Sequence, residues 1–453
     1  MAEDFDVIVI GSGSAATGAA FGCRRAGWRV AVIDSRPFGG TCALRGCDPK
    51  KVLVGAADAL DRVRALEGRG LRPEGARIEW SDLMRFKRGF TAPVPQSKEH
   101  AFAKAGIATF HGRARFVGRT SIQVDATVLS GKHVVIAAGA RPADLGIPGA
   151  EHAITSEQFL ELDALPSRLA FLGGGYISFE FAHVAARAGA HPVILHRGAR
   201  PLEHFDHDLV ALLLRRTRAV GIDVRLQAEA NAIEKARDGF VIRTTGDAGA
   251  VTADLVVHGA GRVPDIDDLA LDVAGVERGR RGVKVNEFLQ SVSNPAVYAA
   301  GDAAESGPPL TPVAGYQGDT VAANLLQGNK RRPDYTGVAS VVYTVPPLAT
   351  VGLKEDDARN SGSQFRVKYQ DTSGWYASRR IGETCSGFKT IVEEPTGRIL
   401  GAHLLGHNAD EVVNLFALAI RKRLTISDLK DVIYAYPTHS SNVAYMFSSP
   451  VSP

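Results

Sequence analysis

Two cysteines five positions apart are the residues of this chain best suited to do chemistry. They are Cys42 and Cys47 in the stretch GGTCALRGCDPKK, and the 453-residue chain has only four cysteines. Zinc sites prefer cysteines separated by two to four residues together with a second pair elsewhere, but Cys23 and Cys385 have no partner at such a spacing. Those two suit buried packing, whereas glycines and charged residues surround Cys42 and Cys47. A pair that opens and closes as a disulfide is therefore favoured over a zinc site or buried packing.

The spacing also constrains the backbone between the two thiols. On an ideal helix, Cα atoms five residues apart lie more than about 8 Å apart, while a disulfide needs less than about 7 Å. We therefore expect distorted backbone before Pro49, where a regular helix would start, with Gly46 lowering the cost of the distortion. A thiol in the first turn of a helix has a lowered pKa because of the helix dipole, so the thiolate needed for exchange is available.

A glycine turn near the start of the chain can hold a dinucleotide. In VIVIGSGSAA, Gly11, Gly13 and Ala16 follow a strand and open a helix. Gly11 permits the tight turn, Gly13 removes a side chain where a pyrophosphate approaches, and the helix N-terminus offers free N–H groups. Asp34 ends the next strand, where a carboxylate can accept both hydroxyls of an adenosine ribose. The strand, the glycine turn, the helix and the acid at the end of the next strand together predict a dinucleotide-binding site.

A second glycine turn, with Gly173, Gly175 and Ser178, has the same context but no carboxylate after its second strand. Arg197 and Arg200 stand there instead. Guanidinium groups suit the 2′-phosphate of NADP(H), so NADPH is favoured over NADH. The alternative is that both arginines lie on a solvated loop.

The elements that carry these turns form an internal duplication. Each copy has the order strand, glycine turn, helix, strand, which predicts a parallel sheet, and each later returns through short alternating strands. Residues 296–328 belong to neither copy and look like a returning segment. Beyond roughly residue 335 the pattern changes to antiparallel strands and the helix NADEVVNLFALAIRKRL. We expect an α/β fold with two dinucleotide-binding modules and a third, α+β domain.

Composition narrows the class of protein. Hydrophobic residues make up 45% of the chain and charged residues 23%, as in globular α/β proteins. No apolar run approaches the roughly 20 residues that span a bilayer, and MAEDFDVIVIGSG has neither a secretory signal nor a transit peptide, so a cytoplasmic location is expected. The net charge of +4 is dispersed, which does not indicate nucleic-acid binding. Four cysteines are too few for a disulfide framework, so any disulfide should be a working one.

The sequence resembles the FAD-dependent pyridine nucleotide–disulfide oxidoreductases, the family of glutathione reductase, lipoamide dehydrogenase and mercuric reductase. GGTCALRGCDPKK matches the redox motif, AAGARP and VYAAGDAA match motifs of the FAD domain, and PPLATVGLKEDDA matches the start of the dimerisation domain. The resemblance covers essentially the whole chain. It implies two Rossmann-like domains, for FAD and NADPH, and an α+β C-terminal dimerisation domain. The implied segments are an FAD-binding domain (1–147), an NAD(P)H-binding domain (148–264), the return of the FAD-binding domain (265–335) and the dimerisation domain (336–453).

The resemblance also implies which residues hold the two nucleotides. The implied FAD site consists of Gly11, Gly13, Ser14, Asp34, Thr41, Lys50, Ala114, Gly139, Asp302 and Thr311. The implied NADPH site consists of Gly173, Gly175, Tyr176, Ile177, Glu180, Arg197, Arg200 and Gly261. Lys50 and Glu180 would form an ion pair beside the flavin N5, and Tyr176 would cover the nicotinamide pocket.

The resemblance assigns different roles to the two redox cysteines. Cys47 would be the charge-transfer thiolate against the flavin, and Cys42 would attack the substrate. Electrons would pass from NADPH to FAD, to the disulfide, and then by thiol exchange to a small disulfide.

The C-terminal stretch YAYPTHSSNVAYM departs from the family. Most members carry a His-Pro motif there, with a Glu five positions after the His, which supplies a general acid–base to the partner subunit. Tyr436 stands at the His position and Ser441 at the Glu position. Tyrosine is a poor base at pH 7. His439 could substitute for the missing base or be structural, and Tyr436 itself matches mercuric reductases, although the chain ends without their cysteine pair.

The substrate of glutathione reductases is bound by two arginines, and here Phe21 and Asp319 stand at those positions. Losing two cations and gaining an anion disfavours an acidic tripeptide. We therefore expect a substrate other than glutathione disulfide, one that is neutral, bulky or cationic, or whose leaving thiol is acidic.

Several functions remain open on these residues. The first is a homodimeric NADPH-dependent flavoprotein disulfide reductase acting on a small disulfide or related electrophile. The alternatives are a mercuric-reductase-like enzyme, or one that reduces quinones, metal ions or oxygen, and a glutathione reductase or lipoamide dehydrogenase with an altered acid–base site. A flavin-bound redox sensor without turnover is the non-enzymatic alternative. No bound metal, nucleic acid or membrane partner is expected.

Overall fold

The computed structural model describes residues 3–246 and 249–448. The first two residues of the predicted segment 1–147, two within 148–264 and the last five of 336–453 therefore lie outside the described residues. The chain forms two compact units. The first contains Met1–Lys50, Phe86–Ala143 and Gly261–Tyr335, and the second contains Lys51–Arg85, Asp144–Ala260 and Thr336–Pro453. The functional domain limits expected from the sequence stay a prediction.

The helices and strands are numbered in chain order. The helices are α1 (Ser14–Arg25), α2 (Gly40–Arg45), α3 (Cys47–Ala65), α4 (Trp80–Thr91), α5 (Val94–Lys104), α6 (Ser156–Phe159), α7 (Tyr176–Arg187), α8 (His207–Ala219), α9 (Thr311–Gln327), α10 (Glu355–Asn360), α11 (Tyr376–Arg379), α12 (Ala409–Arg421), α13 (Ile426–Lys430) and α14 (Val443–Met446). Within the described ranges, none of these helices is both long and apolar enough to cross a membrane.

The strands follow the same numbering. They are β1 (Glu3–Ile10), β2 (Val30–Asp34), β3 (Ala108–His111), β4 (Ala114–Phe116), β5 (Ser121–Val124), β6 (Thr127–Ile136), β7 (Ala140–Pro142), β8 (Ala153–Thr155), β9 (Arg168–Leu172), β10 (His191–Leu195), β11 (Asp223–Arg225), β12 (Ala230–Ala236), β13 (Gly239–Thr244), β14 (Val251–Ala253), β15 (Leu255–His258), β16 (Arg262–Pro264), β17 (Arg278–Gly279), β18 (Gly282–Val283), β19 (Val297–Ala299), β20 (Ser340–Val342), β21 (Leu348–Gly352), β22 (Phe365–Asp371), β23 (Gly387–Glu393) and β24 (Ile399–Leu405).

The first unit is built on a mainly parallel sheet. Its strand order is β3–β2–β1–β6, with β19 also paired to β6, and these pairs are parallel. The stretch VIVI of β1 is buried throughout, as expected for a parallel strand covered on both faces. On one face, α1 and α9 pack closely because Gly22 lacks a side chain; a Cβ there would lie 2.5 Å from that of Ala322.

The second unit repeats the arrangement. Strands β11–β10–β9–β15–β8 form a sheet in this order, and all neighbouring pairs are parallel. The expected pair of strand–turn–helix–strand units and the α/β fold class are therefore confirmed. Buried Leu, Phe and Val side chains of β9, α7 and α8 fill the core beside this sheet.

Residues after 336 form a separate sheet in the second unit. Its order is β20–β21–β24–β23–β22, and each neighbouring pair is antiparallel. Apolar residues of α12 pack on this sheet. The change of pattern expected near residue 335 and the helix expected near 408–424 are thus confirmed. Helix α12 ends at Arg421, and the next residues form a short loop.

Helix α3 is fixed to the second unit by apolar and ionic contacts. Leu53, Val54 and other apolar residues of α3 lie in the core. Nearer its end, the carboxylate of Asp61 accepts hydrogen bonds from Arg187 at 2.8 Å and from Arg216 at 2.9 Å. Burial lowers the pKa of Arg187, and the charge of Asp61 opposes this effect. A buried cation of this kind is tolerated only when it is paired, so the contact fixes the rotation of the helix that begins with Cys47.

Candidate active site

The two redox cysteines lie on either side of a helix break. Helix α2 ends at Arg45 and α3 begins at Cys47, with Gly46 between them in a non-helical conformation. A Cβ on Gly46 would lie 3.0 Å from the carbonyl oxygen of Thr41, so the break needs glycine. The expected distortion is confirmed, but the helix begins two residues before Pro49. Both cysteines are free thiols in the structure.

Cys47 has the surroundings of a stable thiolate. Its sulfur lies 3.4 Å from the Oγ1 atom of Thr311, the first residue of α9. A hydrogen bond from the Cys42 thiol, together with the Thr311 hydroxyl and the charge of Lys50, lowers the pKa of Cys47 to about 6. Burial and Asp48 act in the opposite direction. Cys47 is therefore largely ionised at pH 7.

Cys42 is the thiol that keeps its proton. Its hydrogen bond to Cys47, desolvation and the negative charge of Cys47 raise its pKa well above the usual range. Its sulfur also lies 3.9 Å from the Oδ1 atom of Asp48. The pair therefore has one thiolate and one thiol. Within the described residues, no group of three or more His, Cys, Asp or Glu side chains is arranged to hold a metal ion.

The first glycine turn fits a dinucleotide. Gly11 has a φ of +108°, and a Cβ there would lie 2.2 Å from the carbonyl oxygen of Ala137, so only glycine is compatible. Helix α1 follows with Gly13 at its N-cap, no capping side chain and no acidic residue in its first turn. Its free N–H groups and positive helix end therefore suit an anionic pyrophosphate.

Asp34 is held in a fixed orientation at the end of β2. One carboxylate oxygen accepts a hydrogen bond from the Ser12 hydroxyl at 2.6 Å, and the other accepts one from the backbone N–H of Arg36 at 3.0 Å. Each oxygen retains a second lone pair, which suits the two ribose hydroxyls of FAD. The role of Ser12 in orienting Asp34 was not expected from the sequence. The feature that could have revealed it was a hydroxyl-bearing residue between the two turn glycines.

The other residues implied for FAD also lie in the first unit. Burial raises the pKa of Asp302, and the charge of Arg262 opposes this rise; such a carboxylate suits hydroxyl donors of a bound ligand. The remaining implied residues of this unit are Ser14, Thr41, Lys50, Ala114, Gly139 and Thr311. Together, the uncapped helix, the oriented Asp34 and the half-buried Asp302 fit FAD.

The second glycine turn repeats the design in the second unit. Gly173 has a φ of +105°, and a Cβ there would lie 2.5 Å from the carbonyl oxygen of Gly259. Helix α7 starts after Gly175 without a capping side chain or an acidic first turn. It carries Tyr176, which is 49% exposed, then Ile177 and buried Glu180, whose Oε1 atom accepts the N–H of Tyr343 at 2.8 Å.

The second glycine turn and helix α7 fit a pyridine nucleotide. Two residues that the resemblance implies for this site or for its ion pair are in the other unit. Gly261 and Lys50 lie in the first unit, whereas Glu180 lies in the second. The implied ion pair of Lys50 and Glu180 stays a prediction.

The loop after β10 contains an anchor that the sequence did not reveal. Arg197 and Arg200 are exposed, and neither side chain has a hydrogen bond or ion pair with the described residues. His196 holds their loop: its Nδ1 atom accepts the N–H of Gly174 at 3.2 Å. Nε2 therefore carries the ring proton and donates it to the carbonyl oxygen of Arg200 at 2.8 Å. The feature of the sequence that could have revealed His196 was its position directly after β10, because nucleotide-binding sites of this kind place an acid there.

The C-terminal residues have contrasting surroundings. The side chain of Tyr436 is 73% exposed. His439 lies 3.1 Å, through Nδ1, from the amide nitrogen of Asn408. Burial and the neighbouring His407 lower the pKa of His439 to about 4, so its imidazole is neutral at pH 7. Ser441 donates its hydroxyl to the carbonyl oxygen of Thr438 at 2.7 Å.

Comparisons with known proteins agree with the resemblance found in the sequence. Residues 5–318 match the family model "Pyridine nucleotide-disulphide oxidoreductase", and residues 338–447 match "Pyridine nucleotide-disulphide oxidoreductase, dimerisation domain". The chain is 33% identical to glutathione reductase of Burkholderia cepacia, with 96% of each chain covered. It is 32% identical to mercuric reductase of Staphylococcus aureus, covering 96% of this chain and 80% of the relative.

A solved structure has the same fold over nearly its whole length. It is the Cu(II) complex of the HOCl-induced flavoprotein disulfide reductase RclA from Escherichia coli, with a TM-score of 0.89, 27% identity and 99% of both chains covered. FAD and NAD(P)H are the cofactors of this family. The chain belongs to the FAD-dependent pyridine nucleotide–disulfide oxidoreductases.

Proposed function

We propose that this enzyme uses NADPH to reduce a small disulfide or related electrophile other than glutathione disulfide, through Cys42 and Cys47. The unequal thiol pair carries the proposal. A thiolate at Cys47 and a protonated Cys42 are the two species that stepwise disulfide exchange needs. The hydrogen bond between them and the Thr311 contact maintain this difference.

The residues of the chain divide the reaction between them. When bound, FAD relays the two electrons of NADPH to the Cys42–Cys47 disulfide. Cys42 then attacks one sulfur of the substrate, and its proton passes to the departing sulfur, so a mixed disulfide forms and one thiol is released. Cys47 attacks Cys42, which closes the protein disulfide and releases the second thiol, so one disulfide gives two thiols.

NADPH is the proposed electron donor. Arg197 and Arg200 supply two unpaired cations on a loop held by His196, which suits a 2′-phosphate. NADH offers these groups no partner. The second unit would therefore bind the phosphorylated nucleotide more tightly.

The proposed substrate follows from the residues that stand at the two positions where glutathione reductases carry arginines. Phe21 stacks on Phe102 at a ring distance of 5.4 Å, and Asp319 stands where the second glutathione-binding arginine is expected. Neither residue offers a cation to a carboxylate. The similarity to a glutathione reductase nevertheless makes glutathione disulfide a necessary test substrate.

Reduction of a metal ion is the second candidate function. One relative is a mercuric reductase, the similar RclA structure contains Cu(II), and Tyr436 matches mercuric reductases. The two electrons of NADPH would reduce one Hg(II) to Hg(0), or two Cu(II) to Cu(I). Thiolates are suitable ligands for both ions.

The remaining parts of the proposal concern assembly and location. The match to the dimerisation domain favours a homodimer in which Tyr436 reaches the partner subunit's Cys42. All four cysteines are free thiols, which suits a reducing compartment such as the cytoplasm. No nucleic acid or membrane partner is proposed.

An acceptor screen tests the proposed function. NADPH oxidation would be measured with lipoamide, coenzyme A disulfide, cystamine, glutathione disulfide, quinones, Hg(II) and Cu(II). We expect disulfide turnover that Cys47→Ser and Cys42→Ser reduce by at least 10³-fold, on the order of losing a nucleophile. The matched control is Cys23→Ser, which alters a buried thiol outside the site.

The other outcomes are distinct. Turnover of Hg(II) or Cu(II) without disulfide turnover would establish the second function instead, and turnover of quinones that survives Cys42→Ala would establish a flavin-dependent reductase that does not use the disulfide. No NADPH oxidation with any acceptor would favour a sensor. Glutathione disulfide as the best substrate would overturn the substrate assignment.

A further inference from the structure

Asp48 places a carboxylate beside the thiol that meets the substrate. It follows Cys47 directly and lies in the first turn of α3, where the positive helix end stabilises an acid. Its side chain is exposed. The Oδ1 atom lies 3.9 Å from the sulfur of Cys42, which is within reach of a weak S–H···O hydrogen bond.

The charges of the redox motif are unevenly shared between the two sulfurs. Lys50 lowers the pKa of Cys47, whereas Asp48 raises the pKa of both thiols. The other charged residues of the motif are Arg45, at the end of α2, and Lys51, whose Nζ atom lies 3.0 Å from a carboxylate oxygen of Asp410. Cys42 therefore has a carboxylate in contact, whereas the charge of Lys50 acts on Cys47.

A substrate sulfur must approach Cys42 closely before exchange. Because the sulfur of Cys42 lies 3.9 Å from the Oδ1 atom of Asp48, we take a separation of about 6 Å between Asp48 and a charged group two or three bonds from the substrate sulfur. At that distance, and at the high dielectric of an exposed site, one unit charge changes binding of the approaching disulfide about 3-fold.

We propose that Asp48 is a specificity-determining residue, which makes Cys42 react faster with cationic and neutral disulfides than with anionic ones. This proposal rests on the proposed disulfide reductase function and narrows its substrate to disulfides without acidic groups. It also agrees with the absence, at positions 21 and 319, of the cations that would bind carboxylates of the substrate.

Three symmetrical disulfides of similar size isolate the effect of charge. Cystamine carries two positive charges, bis(2-hydroxyethyl) disulfide none, and 3,3′-dithiodipropionate two negative charges. For the wild-type holoenzyme we expect kcat/KM to fall in this order. Asp48→Asn should reduce the ratio of cystamine to dithiodipropionate about 10-fold, since it removes an attraction and a repulsion of about 3-fold each.

Two controls separate charge from structure. Asp48→Glu keeps the charge, so it should keep most of the ratio, and added salt should lower the ratio in the wild type but hardly in Asp48→Asn. If Asp48→Asn lowers kcat/KM for all three disulfides by the same factor, Asp48 acts on proton transfer or on folding and the proposal is wrong.

Alkylation of the reduced holoenzyme gives a readout that needs no turnover. Iodoacetate is an anion and iodoacetamide is neutral, and Cys42→Ser shows which part of the reaction occurs at Cys42. The ratio of the iodoacetate rate to the iodoacetamide rate at Cys42 should rise about 3-fold in Asp48→Asn. An unchanged ratio overturns the proposal, whereas a raised ratio without turnover of any disulfide leaves it standing and rejects the disulfide reductase function.

Discussion

At the scale of residues, Cys42 and Cys47 differ because one hydrogen bond acts on both. The proton that Cys42 donates stabilises the Cys47 thiolate and is itself held more tightly by that thiolate. Thr311 adds a second polar contact to Cys47 at 3.4 Å. Position within a helix would affect both thiols in the same direction. The difference between them therefore depends on their mutual contact.

The contact predicts how the ionisation of Cys47 responds to a change at position 42. Cys42→Ala removes the hydrogen-bond donor, so the pKa of Cys47 should rise from about 6 toward its ordinary range. Cys42→Ser keeps a donor and should keep a low value. The thiolate forms as pH rises through the pKa, so the midpoint of the alkylation rate against pH should move upward in Cys42→Ala only.

The other two cysteines hardly interfere with that measurement. Burial raises the pKa of both Cys23 and Cys385 to about 12. Equal midpoints in Cys42→Ala and Cys42→Ser would show that the Cys42 hydrogen bond does not set the pKa of Cys47.

At the scale of elements, the two glycine turns share a backbone design but differ at the end of the second strand. The first copy ends β2 with Asp34, oriented by Ser12. The second copy follows β10 with His196, which is bonded to Gly174 and to the Arg200 carbonyl. An acid can receive ribose hydroxyls, whereas the histidine fixes a loop that carries two cations.

The loop contacts predict a selective loss of affinity. His196→Ala removes two hydrogen bonds, so the binding of 2′,5′-ADP to the holoenzyme should weaken about 5–30-fold, and that of ADP by less. Isothermal titration calorimetry would measure both. His191→Ala is the matched control, because His191 is exposed at the start of the same strand. Equal weakening for both nucleotides would mean that His196 only supports the glycine turn.

The sequence predicted these elements better than the contacts between them. The strand–turn–helix units followed from glycines whose spacing is local, and α12 followed from a clear apolar stripe. The packing of α3 was different, since its Leu53 lies in the same core cluster as Phe159, about a hundred positions along the chain. Asp48 and His196 were missed for the same reason: their roles depend on which atom faces them, and periodicity does not contain that information.

At the scale of the whole molecule, the chain inserts one nucleotide-binding unit into another. Strand β19 and helix α9 return to the first unit after β15 has completed the parallel sheet of the second. Thr311 and Cys47, more than 260 positions apart, thereby meet in one unit. The returning segment expected at 296–328 was visible because its pattern repeats in neither copy, but its contact with Cys47 depends on the closed sheet.

The exposed apolar residues near Tyr436 predict an interface. Ile433 is 99% exposed and Val432 is 48% exposed, within the segment that matches the dimerisation domain. In a two-fold dimer, one substitution changes the interface at two places, once in each subunit. Losing the burial of two isoleucines, about 3–6 kcal/mol in total, should raise the dimer Kd by about 10²–10⁴-fold in Ile433→Asp.

Analytical ultracentrifugation of the holoenzyme would measure that Kd. Val273→Asp is the matched control, because Val273 is an exposed apolar residue (45%) outside the matched segment. If the monomer formed by Ile433→Asp also loses disulfide turnover while keeping its flavin, the partner subunit completes the site, as expected for Tyr436. A variant that stays dimeric at the wild-type Kd would place the interface elsewhere.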